Sequence, residues 1–136
     1  ESWESLGYAP NNLPIKTLDS YCEENNITNI DFLKIDTEGF EKEVLIGGSE
    51  IIKKGTRCIQ FEYGTTWKDQ EPSISIEEVV NEFFDGWYLY ILQNKSIIRL
   101  DHEITNSNVL NFISDSNYSN FIASTIDLGK LCSLIG

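Results

Sequence analysis

Phe32-Leu33-Lys34-Ile35-Asp36-Thr37-Glu38-Gly39-Phe40-Glu41 is the stretch whose reading decides the fold. An apolar run ends on an acid, turns through a glycine and enters a segment with helical periodicity. A buried parallel strand delivers a functional side chain to the carboxyl edge of a sheet in this way, and in open α/β sheets ligands sit outside those strand ends. A second run, Arg57-Cys58-Ile59-Gln60-Phe61-Glu62-Tyr63, repeats the design and again ends near a carboxylate. Between the two, Phe40, Val44, Leu45, Ile51 and Ile52 keep a helical period, and Gly47-Gly48 interrupts it. That pattern predicts one kinked helix or two short ones. Lys53 and Lys54 suit the negative end of the helix, and Gly55 suits its cap. Strand, helix and strand of this length make a right-handed βαβ unit.

Outward from this unit the signals are more local. Residues 1–12 hold Gly7, Pro10 and Asn11-Asn12 and read as an irregular opening loop, followed by a short extended piece at 13–16. Thr17 is a good N-cap, with Ser20 where a capping box has Glu or Gln. Leu18, Tyr21 and Cys22 share one helical face, and Asn25-Asn26 stop that helix. Residues 64–75 read as a loop. Ser75 opens a helix carrying Ile76, Val79, Val80, Phe83 and Phe84, and Gly86 closes it. Residues 87–92 and 96–100 suggest a hairpin. Residues 101–117 are polar and loop-rich, 120–123 look like a last short strand, and 124–136 form a tail or terminal turn.

Composition narrows the classes. At 136 residues the default is one domain, with 40 % apolar and 24 % charged residues, as in globular proteins. No apolar run approaches the roughly 20 residues that span a bilayer, and the acidic opening Glu1-Ser2-Trp3-Glu4 is unlike a leader peptide. Cys22, Cys58 and Cys132 are an odd, widely spaced set that gives neither a disulfide framework nor a zinc pattern. A buried reduced thiol is the ordinary reading of Cys58, and a reducing, cytoplasmic location follows. A formal charge of −12 repels nucleic acid and anionic membrane, so neither is expected as a partner.

In order along the chain, Thr17-Leu18-Asp19, Leu33-Lys34-Ile35-Asp36-Thr37-Glu38-Gly39, Glu43-Val44-Leu45 with Gly47, and Ile59-Gln60-Phe61-Glu62-Tyr63 resemble the FkbM family of S-adenosylmethionine-dependent methyltransferases. Gly86-Trp87-Tyr88-Leu89-Tyr90 and Asn120-Phe121-Ile122-Ala123 fit that family's carboxyl-terminal strands, so the resemblance covers about residues 13–124. In that family a Gly-rich loop after the first strand and an acid after the second hold the cofactor, both upstream of the Thr-Leu-Asp element. Here only twelve residues precede Leu13, Gly7 is their sole glycine, and no strand–GxGxG–helix occurs. The resemblance therefore implies an α/β fold that is the carboxyl-terminal half of a Rossmann-like methyltransferase sheet. It would be mostly parallel, with strands at 32–36, 57–63 and 87–92. An antiparallel strand near 119–123 would insert beside the last of these, and 125–136 would form a tail. The implied reaction is O-methyl transfer from S-adenosylmethionine to a hydroxyl of a sugar or other small metabolite. This fragment of a longer or split enzyme is expected to be inactive alone.

The candidate residues follow from position. Asp36, at a strand end before a turn, is placed as a general base or to hold a cofactor or substrate hydroxyl; a turn-capping role is the alternative. Glu38 falls where the next helix begins, favoured by its dipole, and Gly39 serves backbone geometry or close approach to a ligand. Ends of adjacent parallel strands lie about 5 Å apart, so Asp36 and Glu62 can face one crevice. Such a pair can raise one member's pKa for base catalysis or bind Mg²⁺; the reading taken forward assigns no metal. Tyr63 and Trp67 are candidates for lining a substrate or adenine pocket, with core or lid packing as the alternative. His102, in a polar loop, reads as a surface residue, and Lys34 as the partner of an acid across the sheet edge. The alternative to an enzyme is a non-catalytic interaction module, because a half-sheet exposes an edge and an apolar face. Its partner would be a second copy of the chain or an upstream half-domain.

Overall fold

The computed structural model describes residues 15–64, 75–93, 96–100 and 118–130. In chain order the elements are α1 (Leu18–Glu24), β1 (Leu33–Lys34), α2 (Glu41–Gly47), α3 (Ser49–Gly55), β2 (Cys58–Gly64), α4 (Ile76–Phe83), β3 (Tyr88–Gln93), β4 (Ser96–Arg99) and β5 (Tyr118–Ser124). Thr17 caps α1 by accepting the Ser20 N–H, and Asn25 ends it. Ser75 and Glu78 form a reciprocal capping box at the start of α4. Gly47-Gly48 divides the central segment into α2 and α3. A side chain at Gly48 would come within 2.8 Å of Leu18 Cδ2, so the glycine lets α1 approach the break. There the Asp19 carboxylate accepts the Glu50 and Ile51 N–H groups at 3.1 and 2.9 Å, capping α3 from another helix.

The five strands form one sheet in the order β1-β2-β5-β3-β4. β1 pairs with β2 in parallel, Leu33 opposite Ile59 and Lys34 opposite Gln60. β2–β5, β3–β5 and β3–β4 are antiparallel. The sheet is therefore mixed, which corrects the expectation of a mostly parallel one. β1, β2 and β3 do run in the same direction, but β5 lies between β2 and β3 and turns one parallel neighbour contact into two antiparallel ones. The hairpin to β4 adds the third. The first strand is also shorter than 32–36. Its pairing is extended by an Ile30–Thr56 bridge before it and by the Ile35 N–H donating to the Gln60 carbonyl after it.

Alternation along the strands gives the sheet two unlike faces. Ile59, Phe61 and Tyr63 of β2 share one face with Ala123 and Phe121 of β5 and Leu89 and Ile91 of β3, and all are buried. Leu45, Ile52, Ile76, Val79, Phe83 and Phe84 from the helical segments complete that core. The Phe61 ring stacks on Phe84 and Phe121 at centroid distances of 5.3 and 5.8 Å. Each such ring contributes about 1.5–3 kcal/mol through burial. The opposite face carries Lys34, Gln60, Glu62, Asn120 and Ile122. Cys22 is buried and Cys58 half-buried, both as free thiols. Phe40, expected on the core face of its helix, is instead 66 % exposed.

Candidate functional site

β1 and β2 pair at Leu33–Ile59 and Lys34–Gln60, and just past that pairing the Asp36 charge acts on Glu62. β1 stops because the chain leaves the ladder after Ile35 and turns. Glu38 has φ 55° and Gly39 φ 108°. The second value suits glycine, whereas the first is uncommon for a residue with a Cβ. The helix then begins at Glu41, three residues later than Glu38. Glu38 therefore lies in the turn and is exposed, rather than in the first helical turn.

Asp36 is exposed and accepts a hydrogen bond from the Lys34 ammonium at 2.5 Å. That bond and the Asp36 charge hold the Lys34 ammonium above its ordinary value. Lys34 and Asp36 are two apart in an extended segment and so share a face, which makes the partner of Lys34 an acid of its own segment rather than one across the sheet edge. Glu62 is half-buried. Burial pushes its carboxyl above the ordinary value, and the like charges of Asp36, Glu38 and Glu41 push in the same direction. A hydrogen bond from Asn120 Nδ2, at 3.4 Å to Glu62 Oε1, opposes the shift without cancelling it. Gln60 Nε2 in turn donates to Asn120 Oδ1 at 2.9 Å, which fixes the amide's orientation. The result is a line Gln60–Asn120–Glu62 across β2 and β5, ending beside Asp36.

The fourth acid, Glu41, is not among the residues the sequence singles out. Its side chain is 1 % exposed. Oε1 accepts the Thr37 N–H at 2.9 Å and the Thr37 hydroxyl at 3.2 Å, and Oε2 accepts the Gly39 N–H at 3.1 Å. An acid two residues past a glycine at a helix start is a signal that could have found it. Gln60 was legible through its two-residue alternation with Glu62. Asn120 was not, because only the long-range β2–β5 pairing brings it there.

The structure does not bring Tyr63 to the acids. Adjacent strand residues point to opposite faces, so Tyr63 turns into the core beneath α4, edge-on to Phe121 at 6.1 Å. Burial, assisted by the charge of Glu77, pushes its phenol up to about 12. Trp67 and His102 lie outside the described residues, as do residues 1–14, 65–74 and 101–117 and Cys132. Among the described residues no group of three or more His, Cys, Asp or Glu side chains could hold a metal ion. Nor is any described helix long and apolar enough to cross a membrane.

Away from the acids, Ile15, Leu18, Tyr21, Phe40 and Val44 line an open, apolar groove of about 600 Å³ between α1 and α2. Ile15 is 97 % exposed in it.

No curated protein and no solved structure matches the chain. A family model does: the methyltransferase FkbM domain matches residues 2–112, spanning the βαβ unit, the acid-bearing turn, β1 and β2 but not β5. The chain thus belongs to the FkbM methyltransferase family, whose chemistry is methyl transfer.

Proposed function

We propose that this chain supplies one wall of an S-adenosylmethionine-dependent methyltransferase that methylates a hydroxyl of a sugar or other small metabolite. The observation that carries the reading is the gathering of Asp36, bonded to Lys34, and Glu62, bonded to Asn120, near the ends of two paired parallel strands, with Glu62 raised by burial and by the acids around it. The donor set fits the cofactor. Carboxylates are acceptor-only groups, and Asp36 and Glu38 lie at a chain turn where they can take hydrogen bonds from ribose hydroxyls or an amino group. Gly39 allows close approach of the backbone there. When bound, S-adenosylmethionine supplies an electrophilic methyl group.

The chain's own residues do the rest of the work in this reading. Asp36 orients a hydroxyl, and its Lys34 partner keeps that carboxylate aimed along the sheet edge. Glu62, held by Asn120, accepts the hydroxyl proton as the oxygen is alkylated. Substrate positioning falls to residues beyond the strand ends, with Trp67 as the aromatic candidate, since Tyr63 is buried in the core on the other face. No Gly-x-Gly-x-Gly string occurs in the sequence, and in this reading a partner chain or a half-domain carrying such a loop supplies the remaining cofactor contacts. Free thiols at Cys22 and Cys58 support a cytoplasmic location.

Calorimetric titration of S-adenosylhomocysteine tests this, both into the 136-residue chain and into the chain joined to a half-domain that carries the Gly-rich cofactor loop. The joined protein should bind, and Asp36→Ala should weaken the binding. A folded, joined protein that does not bind sinks the reading. The exposed Ile15 and Phe40 and the apolar groove favour a second one, a non-catalytic interaction module that pairs with a copy of itself or an upstream half-domain. That reading expects self-association by sedimentation with no cofactor binding.

A further inference from the structure

We infer that Glu41 is a positioning residue: its buried carboxylate fixes the turn that aims Asp36 and Glu38 at Glu62. The consequence for catalysis rests on the reading proposed above, but the geometry stands separately. A carboxylate that is 1 % exposed is costly to bury unless its oxygens are hydrogen-bonded. Among the described residues Glu41 forms no ion pair with a cation. Its partners are instead the Thr37 N–H, the Thr37 hydroxyl and the Gly39 N–H, all from the turn that separates β1 from α2.

Those contacts lie on both sides of Glu38, whose φ of 55° is a conformation that a residue with a Cβ rarely adopts. Such a conformation persists when its surroundings over-determine it. One carboxylate gripping the residues before and after Glu38 does this. Helix α2 anchors the grip, because Glu41 is its first residue and Leu45, one turn on, is fully buried. The turn is thereby tied to the core, although Asp36, Thr37 and Glu38 are all exposed. Glu41 itself touches no reacting group in this scheme. It acts through the main chain of residues 37–39.

The test separates position from charge by following the titration of the Glu62 carboxyl by carbon NMR in Glu41→Gln and Glu41→Ala. Both variants remove one negative charge, but only the glutamine keeps an oxygen that can accept the Thr37 and Gly39 N–H groups. If Glu41 holds the turn, the alanine variant lets Asp36 and Glu38 drift and lowers the Glu62 midpoint further than the glutamine variant does. Equal midpoints in the two variants overturn the inference. Amide exchange gives a second readout that does not require the alanine variant to fold. In Glu41→Gln, exchange at Thr37 and Gly39 should quicken about tenfold, as expected for a weakened charge-assisted hydrogen bond, while Ile59 and Phe61 stay protected. Unchanged exchange at Thr37 and Gly39 also overturns it. Failure of the wild-type protein to bind S-adenosylhomocysteine would remove the catalytic reading and leave these outcomes to judge Glu41.

Discussion

Two turns at different places in the sheet are each organised by a carboxylate, and they treat that charge in opposite ways. At the end of β5, Asp127 accepts the Tyr90 hydroxyl at 3.0 Å, the Arg99 guanidinium at 2.8 Å and the Gly129 N–H at 3.0 Å. Tyr90 also accepts the Leu128 N–H, and Arg99 lies over the Tyr88 ring. Burial pushes the Asp127 carboxyl up, but the Tyr90, Arg99 and backbone contacts outweigh it and hold the group below its ordinary value. At the end of β1, by contrast, Asp36, Glu38 and Glu41 gather near Glu62 with Lys34 as the neighbouring cation, and Glu62 is raised. A neutralised acid closes a corner. Accumulated acids, together with burial, raise one carboxyl above its ordinary value instead.

The comparison can be broken most readily at the corner. Tyr90→Phe strips an acceptor from the Leu128 N–H and a donor from Asp127, and should cost about 1–2 kcal/mol in urea denaturation. Combined with Asp127→Ala, the loss should be smaller than the sum of the single losses, because the two share one network. Asp36→Ala should show the reverse behaviour: roughly a tenfold loss of S-adenosylhomocysteine affinity with the melting temperature nearly unchanged. Its Lys34 partner is an exposed ion pair, and such pairs add little to stability.

The pH responses should also have opposite signs. Asp127 has a lowered folded pKa, so its contribution is present above its ordinary value of 3.8 and is lost as pH falls through the lowered one. Glu62 has a raised folded pKa, so its contribution is present below its ordinary value of 4.5 and is lost as pH rises through the raised one. Asp127→Asn should therefore lose stability relative to wild type at pH 7 and match it in acid. Glu62→Gln should match wild type below pH 4.5 and gain on it above. Denaturation midpoints followed across pH would show this, and a common sign for the two variants would break the contrast. The smallest effect is expected for Lys34→Met, which should leave the melting temperature within error of wild type.

Much of this was legible because it is local. Thr17, Asn25 and Ser75 act on neighbouring backbone groups, so residue type and spacing suffice to mark helix ends. The Gly47-Gly48 break was equally readable, since two glycines weaken any helix that contains them. Asp36 and Glu62 could be placed near neighbouring strand ends in advance because both close apolar runs within one βαβ unit. Tyr63 shows where that reasoning stops: it follows Glu62 in the chain, yet alternation places it on the other face. Phe40 kept the helical period but precedes the helix, so it never joined the core.

By itself, the sequence determined the βαβ unit, the N-caps of α1 and α4 and the acids near the strand ends, because each depends on contacts within a few residues or on one short connection. Only the tertiary structure decided that β5 would lie between β2 and β3, that Asn120 would meet Glu62, and that Asp19 would cap a helix some thirty residues away. Those pairings depend on which distant surfaces bury together, and residue order alone does not encode that locally. Glu41 lies between the two cases. Its hydrogen bonds are local, but its burial comes from the core that α2 enters, and burial is what makes those bonds obligatory.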